Sequence, residues 1–152
     1  MANHLLLSTA LVTTSPLRAL VRVHLGAMAP VDRQLIGVTE RPKVGDSIDF
    51  DAATRPQFPQ HNRWDYLLSV PTASRLIGLE PHSAKDSEIR VVIAKRQHAV
   101  TYLQQHLPPK NRVTKWLWVT RGSVGFTSTE RARRILNQNG IAFAGRKVRS
   151  LG

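Results

Sequence analysis

The chain has 152 residues, enough for one domain with its own core and hardly enough for two. It contains no cysteine, which excludes disulfides, thiolate zinc sites and cysteine nucleophiles and fits a cytoplasmic protein. Lys and Arg outnumber Asp and Glu by 22 to 10, a net +12, and a surplus of that size gathers polyanions, nucleic acid first among them.

Residues 1–15 read as a loosely tethered apolar segment. No acid precedes Asp32, and Arg18 and Arg22 follow the apolar run, a composition shared with transit segments. The pattern that comes next favours a first helix of the domain instead. Ser15-Pro16 is a helix start, and Leu17, Leu20, Val21 and Leu25 recur at helical spacing until Ala29-Pro30. A short helix is predicted over residues 31–38. Residues 39–62 hold Pro42, Gly45, Pro56 and Pro59 and the acids Asp46, Asp49 and Asp51, and read as a long loop broken at most by a helical turn.

From residue 63 the elements sharpen. Residues 64–70 and 75–80 are apolar runs bounded by Pro71 and Pro81, and the short link between them predicts an antiparallel hairpin. A helix follows over 84–107, capped by Ser83 or Asp86, with Ile89, Val92, Ile93, Val100, Leu103 and Leu107 on one face and Pro108-Pro109 as its stop. A strand over 113–120, a helix over 128–138 closed by Asn139-Gly140, and a strand over 141–144 complete the order. Helices alternating with strands predict an α/β fold, a mixed sheet flanked by helices, with residues 1–62 as an N-terminal helical segment and loop packed on a core of residues 63–152 that ends in a basic tail.

The charge is concentrated late in the chain. From Lys110 onward there are ten basic residues and one acid, Glu130. Lys115, Arg121, Arg131, Arg133, Arg134, Arg146, Lys147 and Arg149 are the candidate phosphate contacts in this stretch. Trp116 and Trp118 could add stacking rings to such a groove, but tryptophans on a strand favour the core. His61, His98 and His106 lack a third ligand nearby and read as surface residues.

Asp65 and Glu80 are the acids that stand out. In a hairpin of this length Trp64-Asp65 and Leu79-Glu80 face each other at one end, and two carboxylates there can hold a divalent ion through hard oxygen ligands. The competing reading pairs Asp65 with Arg63 or Arg75 and makes Glu80 a turn cap. On the following helix Lys95 falls at the edge of the apolar face and Arg96 nearer its centre. A buried cation needs a partner, and Asp65 or Glu80 is the candidate for Arg96, which otherwise reaches the sheet edge as another nucleic-acid contact.

Asp65, a hairpin, Glu80-Pro81-His82, a long helix, a strand, a helix and a strand resemble the core of the PD-(D/E)XK, or restriction-endonuclease-like, superfamily over residues 63–145. The chain is also similar to small bacterial proteins with a Trp-Asp-Tyr-Leu strand, a Glu-x-His strand end and a Lys-bearing helix. The superfamily resemblance implies a restriction-endonuclease-like fold, with Asp65 and Glu80 as ligands of Mg²⁺ and a nuclease, a hydrolase of DNA or RNA, as the activity. His82 occupies the position of the motif lysine. The resemblance therefore leaves His82 or Lys95 to position the attacking water, as some members carry that cation on the helix. Three functions stand at this point: a metal-dependent nuclease, DNA favoured over RNA; a catalytically inactive nucleic-acid-binding protein on the same scaffold; and an adaptor facing an acidic protein. A homodimer is compatible with each.

Overall fold

Strands with apolar side chains on both sides must be covered on both sides, and the runs over residues 66–70 and 75–81 have that composition. In a computed structural model describing residues 5–152, six strands form one mixed sheet in chain order. They are β1 (Arg22–Val23), β2 (Asp46–Asp49), β3 (Tyr66–Val70), β4 (Arg75–Pro81), β5 (Val113–Val119) and β6 (Ala142–Phe143). The first four are joined antiparallel, while β5 and β6 run parallel to β4. Five α-helices accompany them: α1 (Leu7–Ala10), α2 (Pro30–Arg33), α3 (Phe50–Thr54), α4 (Ile89–Leu103) and α5 (Thr129–Gln138).

One face of the sheet presents Trp64, Leu67, Leu76, Trp116 and Trp118 to Val92, Ala99 and Leu103 of α4 and Leu136 of α5. The other presents Tyr66, Leu68, Ile77, Leu79, Leu117 and Val119, covered by Met28, Leu35, Ile36, Val44, Val148 and Leu151 from the two ends of the chain. Trp64 and Trp116 meet edge to face at 5.0 Å, and this contact needs Gly78 beneath it. A Cβ on Gly78 would stand 2.4 Å from the Trp116 ring.

Several expectations need correcting. Residues 16–28 do not form an amphipathic α-helix: a 3-10 turn over Pro16–Leu20 gives way to β1, and Leu20 is exposed. Residues 39–62 are more ordered than a loop, because Ser47 and Ile48 pair with Leu68 and Leu67 to put β2 in the sheet, and α3 follows directly. The apolar start is not loosely tethered where it is described. Leu7 and Leu11 are buried, and buried Asp46 accepts from the amides of Leu7 at 2.9 Å and Ser8 at 3.1 Å, satisfying the open end of α1. Residues 1–4 lie outside the described part. Trp116 and Trp118 are core residues, so neither offers a face for a base to stack on. Among the described residues no helix is long and apolar enough to cross a membrane.

Candidate functional site

β2 and β4 run the same way, β3 runs against them, and β5 is parallel to β4. The end of β2, the start of β3 and the ends of β4 and β5 therefore lie along one end of the sheet. That end gathers Asp49, Asp51, Asp65, Glu80, His82 and Arg121. Carboxyl ends of parallel strands are where α/β sheets present their ligands.

Tyr66 lies opposite Leu79, which sets Asp65 beside Glu80. The Asp65 amide donates to Glu80 Oε1 at 2.9 Å. Glu80 is wholly buried, and its other oxygen, Oε2, takes the Lys95 ammonium at 2.5 Å. The alternating pattern of β4 points Glu80 to the α4 side, and Lys95 sits nearly two turns into α4, where its side chain reaches back to the strand end. Burial, and then the charge of Glu80, push the Asp65 carboxyl up to about 7, while Lys95 pulls the other way.

His82 flanks this group. Its Nδ1 lies 3.4 Å from Glu80 Oε2, and its Nε2 lies 3.3 Å from Glu88 Oε1 without hydrogen-bond alignment. The contact with Glu80 raises the imidazole above its usual value. A ring between two carboxylates is held toward its protonated form, which suits it poorly as a base and leaves Lys95 as the better-placed cation at Glu80.

Asp65, Glu80, Lys95 and His82 thus converge. The alternatives read from spacing do not hold, because Arg63 pairs with Asp51 at 2.7 Å rather than with Asp65, and Glu80 closes no turn. Arg96 does not pair with Asp65 or Glu80. Its guanidinium lies 5.7 Å from the Trp116 ring and against Gly140 after α5, where the ring face takes the place of a carboxylate and the buried Nε has no hydrogen-bond partner among the described residues. Asp86 does not cap α4 but accepts from the Thr127 amide at 3.2 Å, tying α4 to the loop before α5. His98 and His106 are half-buried rather than surface residues: His98 stacks on His61 at 4.6 Å and His106 on Tyr102 at 4.3 Å.

The remaining cations are spread. Arg121 borders the site end of the sheet, and Arg131, Arg134, Arg146 and Lys147 are exposed. Arg133 lies over Phe143, and Lys115 and Arg149 sit where the tail crosses the second face, Lys115 reaching Ser150 O at 3.5 Å. What sequence reading missed is how the acids are used. Asp32 accepts from Tyr66 Oη, Glu40 pairs with Lys43, Asp46 holds α1, Asp49 caps α3 and Asp51 takes Arg55 and Arg63. Among the described lysines and arginines only Lys43, Arg55, Arg63, Lys95 and Arg121 pair with a carboxylate. The spacing Glu40–Lys43 and Asp51–Arg55 was the signal available for two of these.

Two hard-oxygen carboxylates lie side by side here, one of them pushed toward neutrality by burial and then by the charge of the other. Among the described residues no group of three or more His, Asp or Glu side chains is placed to hold a metal ion. No protein-family model, curated protein or solved structure matches the chain.

Proposed function

We propose that this protein is a metal-dependent phosphodiesterase acting on nucleic acid, DNA before RNA, built as a divergent PD-(D/E)XK-type nuclease. The observation that carries the reading is the Lys95 ammonium on Glu80 with Asp65 alongside. These are the two acids and the cation that the motif asks for, with the cation supplied from α4. A cysteine-free chain with this charge is read as cytoplasmic.

Asp65 and Glu80 would hold Mg²⁺, which supplies charge neutralisation at the phosphate and makes water a stronger nucleophile near neutral pH. The chain's own part is positioning. Glu80 fixes the direction of the Lys95 ammonium, whose remaining N–H groups donate to the attacking water or to a phosphate oxygen. Water adds to phosphorus and gives up a proton, the bond to the leaving sugar oxygen breaks, and that oxygen gains a proton. His82 meets the same Glu80 oxygen as Lys95, at 3.4 Å, and helps keep it from swinging away.

His82 at the motif-lysine position favours one second reading, a non-cleaving nucleic-acid-binding protein or adaptor on the same scaffold. Labelled single- and double-stranded DNA and RNA, incubated with Mg²⁺ or Mn²⁺ and with EDTA, separate the two. Metal-dependent cutting by the wild type that is lost in Glu80→Ala and Lys95→Ala supports the enzyme. Retarded but uncut nucleic acid supports the binding protein.

A further inference from the structure

Beside the Glu80 group lies an open cleft of about 340 Å³ between the Pro81–Lys85 segment and the loop that follows β5, with His82 as the shared wall. Its floor is held by backbone bonds. The His82 amide donates to Val119 O at 2.9 Å, the Gly125 amide to Ala84 O at 2.7 Å, and the Thr120 amide to Gly145 O at 2.9 Å. Trp118 Nε1 closes the inner side on His82 O at 3.0 Å.

The rim, by contrast, is unsaturated. Lys85 is exposed and, among the described residues, meets no carboxylate; Arg121 is exposed and meets only Asp32, loosely, at 3.6 Å. The hydroxyls of Ser83 and Ser123 and the amides of Gly122 and Ser123 donate to no acceptor in the described chain. A Cβ on Gly122 would meet nothing within 4 Å, so the loop backbone is open to close approach. An unpaired lysine, an arginine held only by the long contact to Asp32 and a run of free donors around a half-open cleft form an anion site.

We infer that this cleft, through Lys85, Arg121 and the Gly122–Ser123 amides, binds the backbone phosphate next to the one cleaved at Glu80. The inference rests on the phosphodiesterase reading for its direction, since a strand crossing the sheet end at Glu80 passes His82 into the cleft. It adds the register: the strand runs along the carboxyl ends of β4 and β5 toward Arg121, not over α4.

The test is binding of a short labelled single-stranded DNA by the full chain in EDTA, followed by anisotropy over a salt series. Lys85→Gln with Arg121→Gln is expected to weaken binding about tenfold and to lower the salt slope by about 1.4, at roughly 0.7 per lost phosphate contact on a single strand. Gly122→Val, which fills open space, is expected to weaken binding several-fold with the slope and melting temperature kept. Lys110→Gln with Arg112→Gln removes the same charge at the opposite end of the sheet and is expected to change little. Equal losses from the two charge pairs, or wild-type binding by Gly122→Val, would overturn the subsite. The phosphodiesterase reading fails separately, if Glu80→Ala cuts as the wild type does, because these binding readouts involve no cleavage.

Discussion

Asp65 and Glu80 face each other at the open end of the β3–β4 hairpin, the amide of the first donating to the carboxylate of the second at 2.9 Å. The pair is held together by backbone, so its two charges cannot move apart when both ionise.

That constraint makes stability fall as pH rises. The Asp65 carboxyl titrates near 7 in the folded chain against 3.8 as its ordinary value, so the folded state binds more protons between those limits. Stability conferred by the protonated form is present below about pH 4 and is lost as pH climbs through about 7. The raised His82 imidazole adds in the same direction, its contribution being lost as pH rises through its folded value. Asp65→Asn is expected to gain on the order of 2–3 kcal/mol over wild type at pH 8 and little at pH 4, measured by urea unfolding. Mg²⁺ is expected to raise the melting temperature of wild type at pH 8 and not that of Asp65→Asn.

Lys95→Ala leaves a wholly buried carboxylate with only the His82 imidazole beside it. The expected cost is about 3–5 kcal/mol, with loss of cleavage. Glu80→Gln combined with Lys95→Met removes both charges and is expected to recover most of that stability while staying inactive. A double-mutant cycle on denaturant midpoints, run beside the cleavage assay, reads both.

Gly78→Ala would drive a methyl group into the Trp116 ring and toward Trp64 Nε1. Central strand, ring and helix are packed together there, so nothing gives way cheaply. A loss of about 2 kcal/mol or more is expected in thermal unfolding, with near-ultraviolet circular dichroism reporting the disturbed tryptophan pair.

Asp46→Ala would free the amides of Leu7 and Ser8 and the hydroxyl of Ser69 in a buried place. Stability is expected to drop by about 1–3 kcal/mol, with faster hydrogen exchange confined first to residues 5–12. Uniform exchange across the chain would argue against Asp46 as the clasp of the N-terminal segment.

The second half of the chain was legible because its elements carry strong periodic and boundary signals. The β3–β4 hairpin, β5 and α5 lie where alternation, Ser128 and Gly140 put them, and α4 lies inside the predicted 84–107 but is shorter, starting after a 3-10 turn and ending at Leu103, before Pro108-Pro109. The same patterns brought Asp65 and Glu80 to one strand end. What was not legible depended on side chains reaching across the fold. The spacing of Leu17, Leu20, Val21 and Leu25 fits a helix, yet tertiary pairing of Arg22 with Ser47 draws the segment into the sheet. β2 is only four residues long and carries two acids, so nothing local marks it as a strand. Helical spacing assigned the buried cation to Arg96, but the length of the lysine side chain carries Lys95 to Glu80, while Arg96 turns to Trp116.

Because most of the acids are tied up in capping helices, holding the N-terminal segment and pinning side chains, the protein keeps few counter-ions of its own on its surface. Two copies approaching each other at a net +12 each would repel. The surplus positive charge therefore keeps copies apart at low ionic strength, and added salt would relax that repulsion.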